Sequence, residues 1–290
     1  MKPSVSLIGA GAAGSALLLA LHRLGYPITA VSSRSERSAM RCAALVGSPY
    51  ATSDNASASR RGEIVIIATP DGVIGAVCRT LVEQQGIREG QLVLHLSGAL
   101  GAAELKAAAM AGADTCALHP IQTLVKPQQG ADLLRAAWFC LEGAPPGVER
   151  ARELAMAISG HAFSLDAEQK PLYHAALCVS SNYLVVLENI AVEMLQRAGL
   201  ERGVALQALL PLIRGAAENL AQAGLPEALT GPISRGDVRT VERHLESLAQ
   251  GSGEHARLYH QLGRAALRLA REKGQLSASA EEVLKRMLLP

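Results

Sequence analysis

The stretch Val5-Ser6-Leu7-Ile8-Gly9-Ala10-Gly11-Ala12-Ala13-Gly14 decides how the chain is read. A short apolar run enters three glycines at G-x-G-x-x-G spacing, and residues 12–24 follow with apolar side chains at helical spacing. A strand that turns sharply into a helix has this form. Gly9 permits the tight turn, Gly11 lets the backbone approach a pyrophosphate with no Cβ in the way, and Gly14 lets helix and strand pack closely. The free N–H groups of the helix N-terminus then face the phosphates. Alone the spacing is a weak signal, and a tight turn can need glycine for sterics only. Between a strand and a helix of a βαβ unit it makes Gly9, Ala10, Gly11, Ala12, Ala13 and Gly14 a dinucleotide-binding turn.

The pattern continues outward from this turn. Residues 4–8, 28–32, 63–68, 92–96, 115–118, 138–141 and 161–165 are short β-rich runs separated by helical stretches. Apolar runs without alternation, such as Glu63-Ile-Val-Ile-Ile-Ala68, suit a sheet covered on both faces. Strands alternating with helices imply right-handed crossovers. The expected fold is therefore α/β, a Rossmann-type, doubly wound, mostly parallel sheet. Beyond Asp166 the β-rich runs stop, and helices are expected at about 168–198, 205–223, 238–249, 254–273 and 279–288. Asp166-Ala-Glu-Gln169 has the form of a capping box at the first of these. The expected division is 1–165 for a nucleotide-binding domain and 166–290 for an all-α domain that binds substrate and dimerises.

Composition removes several classes of function. The chain has 290 residues, 28 Lys+Arg against 26 Asp+Glu, and a net charge of +2. A phosphate-backbone binder needs a cationic excess, and two Phe, one Trp and five Tyr form a poor base-stacking platform. Nucleic acid is thus not an expected partner. Five cysteines, with no pair at C-x-x-C spacing, argue against a disulfide framework or a zinc ribbon. They suit buried thiols in a reducing cytosol. The first apolar stretch is broken by glycines and ended by His22 and Arg23, and no uninterrupted apolar run reaches the roughly 18 residues of a membrane span. These features describe a soluble, cytoplasmic protein with no membrane partner. The eight histidines show no H-E-x-x-H or H-x-H spacing, so no metal is expected.

The end of the second strand selects the cofactor. An NAD site places Asp or Glu there to hold the ribose 2′-hydroxyl. Here the segment is Val31-Ser-Ser33-Arg34-Ser-Glu36-Arg37. Ser33 and Arg34, with Arg37 behind them, offer hydroxyl and guanidinium donors that suit a 2′-phosphate. NADP is therefore expected over NAD, with Glu36 the residue that speaks for NAD. Thr69 and Pro70, at the carboxyl end of the 63–68 strand, are placed near the ribose and nicotinamide. Asp71 is expected to cap the helix that follows.

The chemistry is expected at three further places. His95-Leu-Ser97-Gly98 and Leu118-His119-Pro120 end successive strands, so Ser97 and His119 are candidate substrate contacts, ahead of His95. In Lys170-Pro-Leu-Tyr173-His174, with Ser181 and Asn182 beyond, Lys170, His174 and Ser181 share a stripe of one helix at 100° per residue. Hydride delivery to a carbonyl needs a proton donor or a positive charge near the developing oxyanion. Lys170 is the candidate catalytic group, with His174 beside it and Ser181 and Asn182 as substrate contacts. Arg235, in Thr230-Gly-Pro-Ile-Ser-Arg235-Gly-Asp237, is a candidate contact for an anionic substrate, and Asp237 suits a helix N-cap.

Together and in this order, the G-A-G-A-A-G turn, L-H-P-I-Q-T, K-P-L-Y-H…S-S-N and T-G-P-I-S-R-G-D resemble Rossmann-like NADP-binding proteins with a C-terminal helical domain of unknown function. That group is similar to ketopantoate reductase, pyrroline-5-carboxylate reductase and the β-hydroxyacid dehydrogenases. The resemblance implies NADP, an all-α domain that forms a homodimer, and reduction of a small carbonyl or imine between the domains. It also implies a proton-donating Lys at the start of the first long helix, the place of Lys170. An Asn one turn on is expected from those enzymes, and His174 stands there instead. Two other readings stay open. One is a deazaflavin-type NADP reductase; the other is a non-catalytic NADP-binding sensor or scaffold.

Overall fold

The structure, a computed structural model, describes residues 1–289. It divides into two compact units, Met1–Asn182 and the residues from Tyr183 onward.

The first unit is built on one sheet of eight strands: β1 Val5–Ile8, β2 Ile28–Ser32, β3 Ala51–Thr52, β4 Ile64–Ile67, β5 Leu92–His95, β6 Asp114–Pro120, β7 Phe139–Gly143 and β8 Ala162–Ser164. Their order is β3-β2-β1-β4-β5-β6-β7-β8. All neighbours are parallel except β6 and β7. The helices between them are α1 Ala12–Arg23, α2 Glu36–Val46, α3 Asn55–Ser59, α4 Ile74–Glu83, α5 Lys106–Met110, α6 Pro127–Leu133 and α7 Pro145–Ser159, and α8 Lys170–Ser180 follows the last strand. The expected doubly wound, mostly parallel sheet is what the chain forms.

The run Ile64-Val-Ile-Ile67 shows why these residues make a central strand. Side chains alternate across a strand. Ile64 and Ile66 enter the core on one face with Leu7, Leu17 and Leu94, while Val65 and Ile67 enter the other with Ile8, Ile74 and Val93. A strand buried on both faces can hold β-branched residues at every position. The strand order reverses between β1 and β4, and this leaves a crevice at the carboxyl ends of the two strands.

β3 has only two residues, too few for a recognisable β-rich run, and so lay outside the strands expected from sequence. At the opposite edge, β8 bonds inward to β7 through His161 and Leu165. Its outward-facing Ala162 carbonyl accepts a bond from Arg152 at 3.3 Å, and Arg152 also bonds Ser164 Oγ at 2.6 Å.

The single long helix expected at 168–198 is two. α8 ends at Ser180, Ser181 takes φ −118° and ψ −64°, and α9 begins at Asn182. Ser180-Ser181-Asn182 places three side chains in sequence that compete for backbone hydrogen bonds. The capping box at Asp166 and Gln169 is present on both sides. Residues 167–197 are long and apolar enough, by length and composition, to cross a bilayer, and 6% of the most apolar window is buried. Polar residues interrupt the stretch, and the break at Ser181 divides it.

The second unit is all helical, with α9 Asn182–Arg197 entering it, then α10 Arg202–Ala223, α11 Pro232–Arg235, α12 Val238–Ala249, α13 Gly253–Glu272 and α14 Ala278–Met287. Its core gathers Ile233, Val241, Leu267, Leu284 and Leu288. Asp237 caps α12 by accepting bonds from Thr240 N at 3.1 Å and Thr240 Oγ1 at 2.7 Å.

Candidate active site

The three glycines of the first turn are there for different reasons. Gly9 has φ +105°, and a Cβ on it would lie 2.6 Å from the Ala68 carbonyl oxygen at the end of β4. A Cβ on Gly14 would lie 2.7 Å from both the Ala68 Cβ and the Gly9 oxygen. The fold itself demands glycine at both positions. Gly11 differs: its φ of −77° is open to any residue, and a Cβ there would meet nothing within 4 Å. It is also the N-cap of α1 and offers no side-chain cap. The first-turn N–H groups are thus left for an outside acceptor.

A cleft of about 670 Å³ opens beside this turn, lined among others by Gly9, Gly11, Ser33, Arg34, Thr69 and Pro70. Ser33, Arg34, Thr69 and Pro70, expected at the 2′-phosphate and nicotinamide ends, therefore line one cavity, whereas Arg37 does not; Ala10 lines it too, and Ala12 lines the adjoining cleft. Ala13 sits in the first turn of α1. Arg34 is exposed and, among the described residues, has no ion-pair partner. Thr69 Oγ1 is buried with no hydrogen-bond partner. A buried hydroxyl left so is costly, and a ligand in the cleft would complete it. Ser38, Ser53 and Asn55 line the same cavity and escaped the sequence reading. Asn55 accepts a bond from Ser32 Oγ at 2.7 Å, which leaves its amide N–H groups to donate. Turn-distant residues such as these carry no local signature. The free guanidinium, the exposed glycine turn and the orphaned hydroxyl together fit a phosphorylated dinucleotide.

A second cluster forms at the carboxyl ends of β5 and β6. His95 is fully buried and fully bonded. Its Nδ1 accepts from Ser97 N at 3.1 Å and its Nε2–H donates to Gly101 O at 3.0 Å. Burial pushes its pKa down to about 4. His95 is thus a structural residue. Ser97 Oγ accepts from the N–H groups of Ala99 and Leu100 and donates to Asp71 Oδ2 at 2.7 Å. Its one proton is committed to Asp71. Asp71, expected to cap a helix, instead lies inside a 3₁₀ turn whose N-cap is Pro70, and its carboxylate turns to Ser97.

His119 Nδ1 lies 2.6 Å from the Tyr173 hydroxyl. Its ring centroid is 6.4 Å from that of His174. Burial, reinforced by the charge of Lys170, holds His119 near pKa 4. Burial pushes the Tyr173 phenol up. Gly98 sits between the two imidazoles: a Cβ on it would lie 2.8 Å from His119 Nε2 and 2.9 Å from His174 Cδ2. Lys170, the first residue of α8, is 1% exposed, and its Nζ has no hydrogen-bond partner. Burial lowers its pKa, against the pull of Cys140, Glu142 and Asp71. An unpartnered buried amine is rare unless it has a task.

The structure thus brings Ser97, His119, Lys170 and His174 together within the first unit. His174 is half-buried, with Nδ1 3.9 Å from Cys178 Sγ. The shared stripe of Lys170, His174 and Ser181 ends where α8 ends, because Ser181 stands at the helix break and Asn182, exposed, starts α9. Arg235 belongs to the second unit, exposed at the end of α11. Tyr173, Gly98 and Asp71 are the residues of this cluster that sequence reasoning did not select. Tyr173 adjoins His174 in sequence, and Gly98 adjoins Ser97, but their partners lie far along the chain.

Residues 1–120 match the Rossmann-like domain family, and residues 137–266 match a domain of unknown function, DUF2520. No curated protein sequence matches the chain. Among solved structures, it is similar to a candidate NADP oxidoreductase from Bacteroides fragilis, with 27% identity over 92% of this chain and 98% of that one, TM-score 0.72. It is also similar to a pyrroline-5-carboxylate reductase from Coxiella burnetii (18% identity, 94% and 98% covered, TM-score 0.60). An imine reductase from Myxococcus stipitatus in complex with NADP+ follows (20% identity, 99% and 100% covered, TM-score 0.59). At those identities the last two show a shared fold.

Proposed function

We propose that this chain, which matches the Rossmann-like domain over residues 1–120 and DUF2520 over residues 137–266, is an NADP-dependent oxidoreductase that reduces a small carbonyl or imine. Gly11 carries this reading: the fold has no use for glycine there, whereas a diphosphate does. The turn Gly9–Gly14 would hold the pyrophosphate, Ser33 and Arg34 the 2′-phosphate, and Thr69 and Pro70 the ribose and nicotinamide side. NADPH, when bound, supplies the hydride. Lys170 supplies the proton or balances the charge that builds on the substrate heteroatom, assisted by His174. Its lowered pKa makes it a readier donor at neutral pH than an exposed lysine. His119 orients the substrate with Ser181 and Asn182, while Ser97 acts through Asp71. The NADP-bound imine reductase and the Bacteroides protein, similar over almost their whole lengths, support the cofactor and the reaction class.

The exposed apolar side chains of α9 and α10, among them Val185, Val186 and Leu212, support a homodimer through the helical unit. The five unpaired cysteines support a cytoplasmic location. The test is thermal: NADPH should raise the melting temperature of the wild type by mass action. Arg34→Ala should weaken NADPH about 10–100-fold, the worth of a charge-assisted contact, and leave NADH unchanged. A response to NADH alone would refute the 2′-phosphate assignment.

A further inference from the structure

We propose that Tyr173 is a positioning residue that fixes His119 as a neutral imidazole with its proton on Nε2, so that the site offers an N–H donor to an acceptor atom of the substrate. The inference rests on the oxidoreductase reading for its purpose, but not for its geometry. His119 Nδ1 and the Tyr173 hydroxyl are 2.6 Å apart, so one of the two donates to the other. Acceptor strength decides which. Cys140 stands directly opposite His119 in the β6–β7 ladder, and its thiol is the other polar group that acts on the Tyr173 phenol. A thiol is a weak acceptor and an imidazole nitrogen a strong one. The phenol proton therefore goes to the stronger acceptor, His119 Nδ1. With Nδ1 accepting, the single imidazole proton sits on Nε2.

Three further features agree. Phe163 packs edge-on against the Tyr173 ring, with centroids 6.1 Å apart, and restrains the phenol. Burial keeps both rings uncharged near neutral pH. Gly98 has no positive φ to require glycine, yet any side chain there would fill the space 2.8 Å from Nε2. Among the described residues Nε2 has no hydrogen-bond partner. The chain thus builds a donor, orients it and clears the ground before it. Such a donor suits a carbonyl oxygen or the lone pair of a neutral imine. A protonated iminium, itself a donor, does not suit this contact.

The test reads the tautomer directly. Long-range proton–nitrogen NMR of the full chain labelled with ¹⁵N-histidine, with His119→Gln to identify the signals, should show the wild-type proton on Nε2. In Tyr173→Phe, which keeps the ring against Phe163, the preference should collapse toward a mixture while NADPH affinity stays within about twofold. Acetone, an acceptor without a donor, should move the Nε2–H signal; methylammonium, a donor without an acceptor, should not. A wild-type proton on Nδ1, an unaltered tautomer in Tyr173→Phe, or no response to acetone would each overturn the assignment. Failure of the wild type to bind NADPH, with the tautomer as described, would instead count against the oxidoreductase reading alone.

Discussion

The contrast between Gly11 and Gly9 offers the sharpest prediction, because the two alanine variants should fail in opposite ways. At Gly11 the new methyl meets nothing within 4 Å and φ is ordinary. Alanine is a somewhat poorer N-cap than glycine, and it also restricts the unfolded chain, which stabilises by ~0.4–1 kcal/mol. The two effects roughly cancel. The melting temperature should therefore move by no more than about 3 °C, at about 2–4 °C per kcal/mol for a chain of this size. The same methyl stands where a diphosphate must approach. Losing one or two charge-assisted bonds at ~1.5–3 kcal/mol each weakens NADPH on the order of 100-fold. With NADPH at about 100 times the wild-type dissociation constant, its stabilisation falls from ~2.7 to ~0.4 kcal/mol. A ligand-induced rise of roughly 5–11 °C should then shrink to about 1–2 °C. Gly9→Ala should do the reverse. Its positive φ costs ~1–2 kcal/mol and its overlap with the Ala68 carbonyl adds ~1–3 kcal/mol, so the apoprotein should melt at least ~4 °C lower. Differential scanning fluorimetry with and without NADPH checks both. A Gly11→Ala variant that binds NADPH as well as the wild type would refute the reasoning.

Two further outcomes follow from the second cluster. Lys170→Ala should abolish NADPH oxidation with carbonyl or imine substrates while NADPH affinity, read by the same thermal shift, stays unchanged; retained turnover would remove Lys170 from the chemistry. His95 is held neutral by burial, with a folded pKa of about 4 against ~6.5 unfolded. Between those values the unfolded chain binds a proton that the folded chain does not. Stability should therefore be full above about pH 6.5 and fall by up to ~3 kcal/mol as the pH drops toward 4. His119, held near the same value, adds a like fall, so His95→Gln, which can still donate to Gly101 O, should remove about half of the acid limb in urea melts recorded from pH 7 to 4.5, and an unchanged slope would show that His95 contributes none of it.

Much of the fold could be read from local pattern. The runs at 28–32 and 63–68 predict β2 and β4 closely, since a strand buried on both faces has few ways to be written. β3 could not be read, because two residues carry no period. The break at Ser181 was hidden because the helical pattern is good on both sides of it. At the site, the G-x-G-x-x-G turn and Lys170 were legible as residue types in a telling place. The role of Ser97 was not: its hydroxyl is committed to Asp71, 26 positions away. Tyr173 reaches His119 across 54 positions. Hydrogen bonds of that span leave no mark on local spacing. Asp71 was misjudged for a related reason, since capping is the commonest fate of an Asp beside a helix start and only the tertiary partner reveals another.

The two margins of the sheet also bear on how the chain keeps to itself in a crowded solution. A free strand edge is a row of unmet donors and acceptors that another chain can extend into an aggregate. One margin here is only two residues long. At the other, the guanidinium of Arg152 occupies the outward Ala162 carbonyl and adds a charge beside it. An incoming strand would have to displace that charge to pair with a strand of three residues, so neither flank is an inviting template for fibril growth.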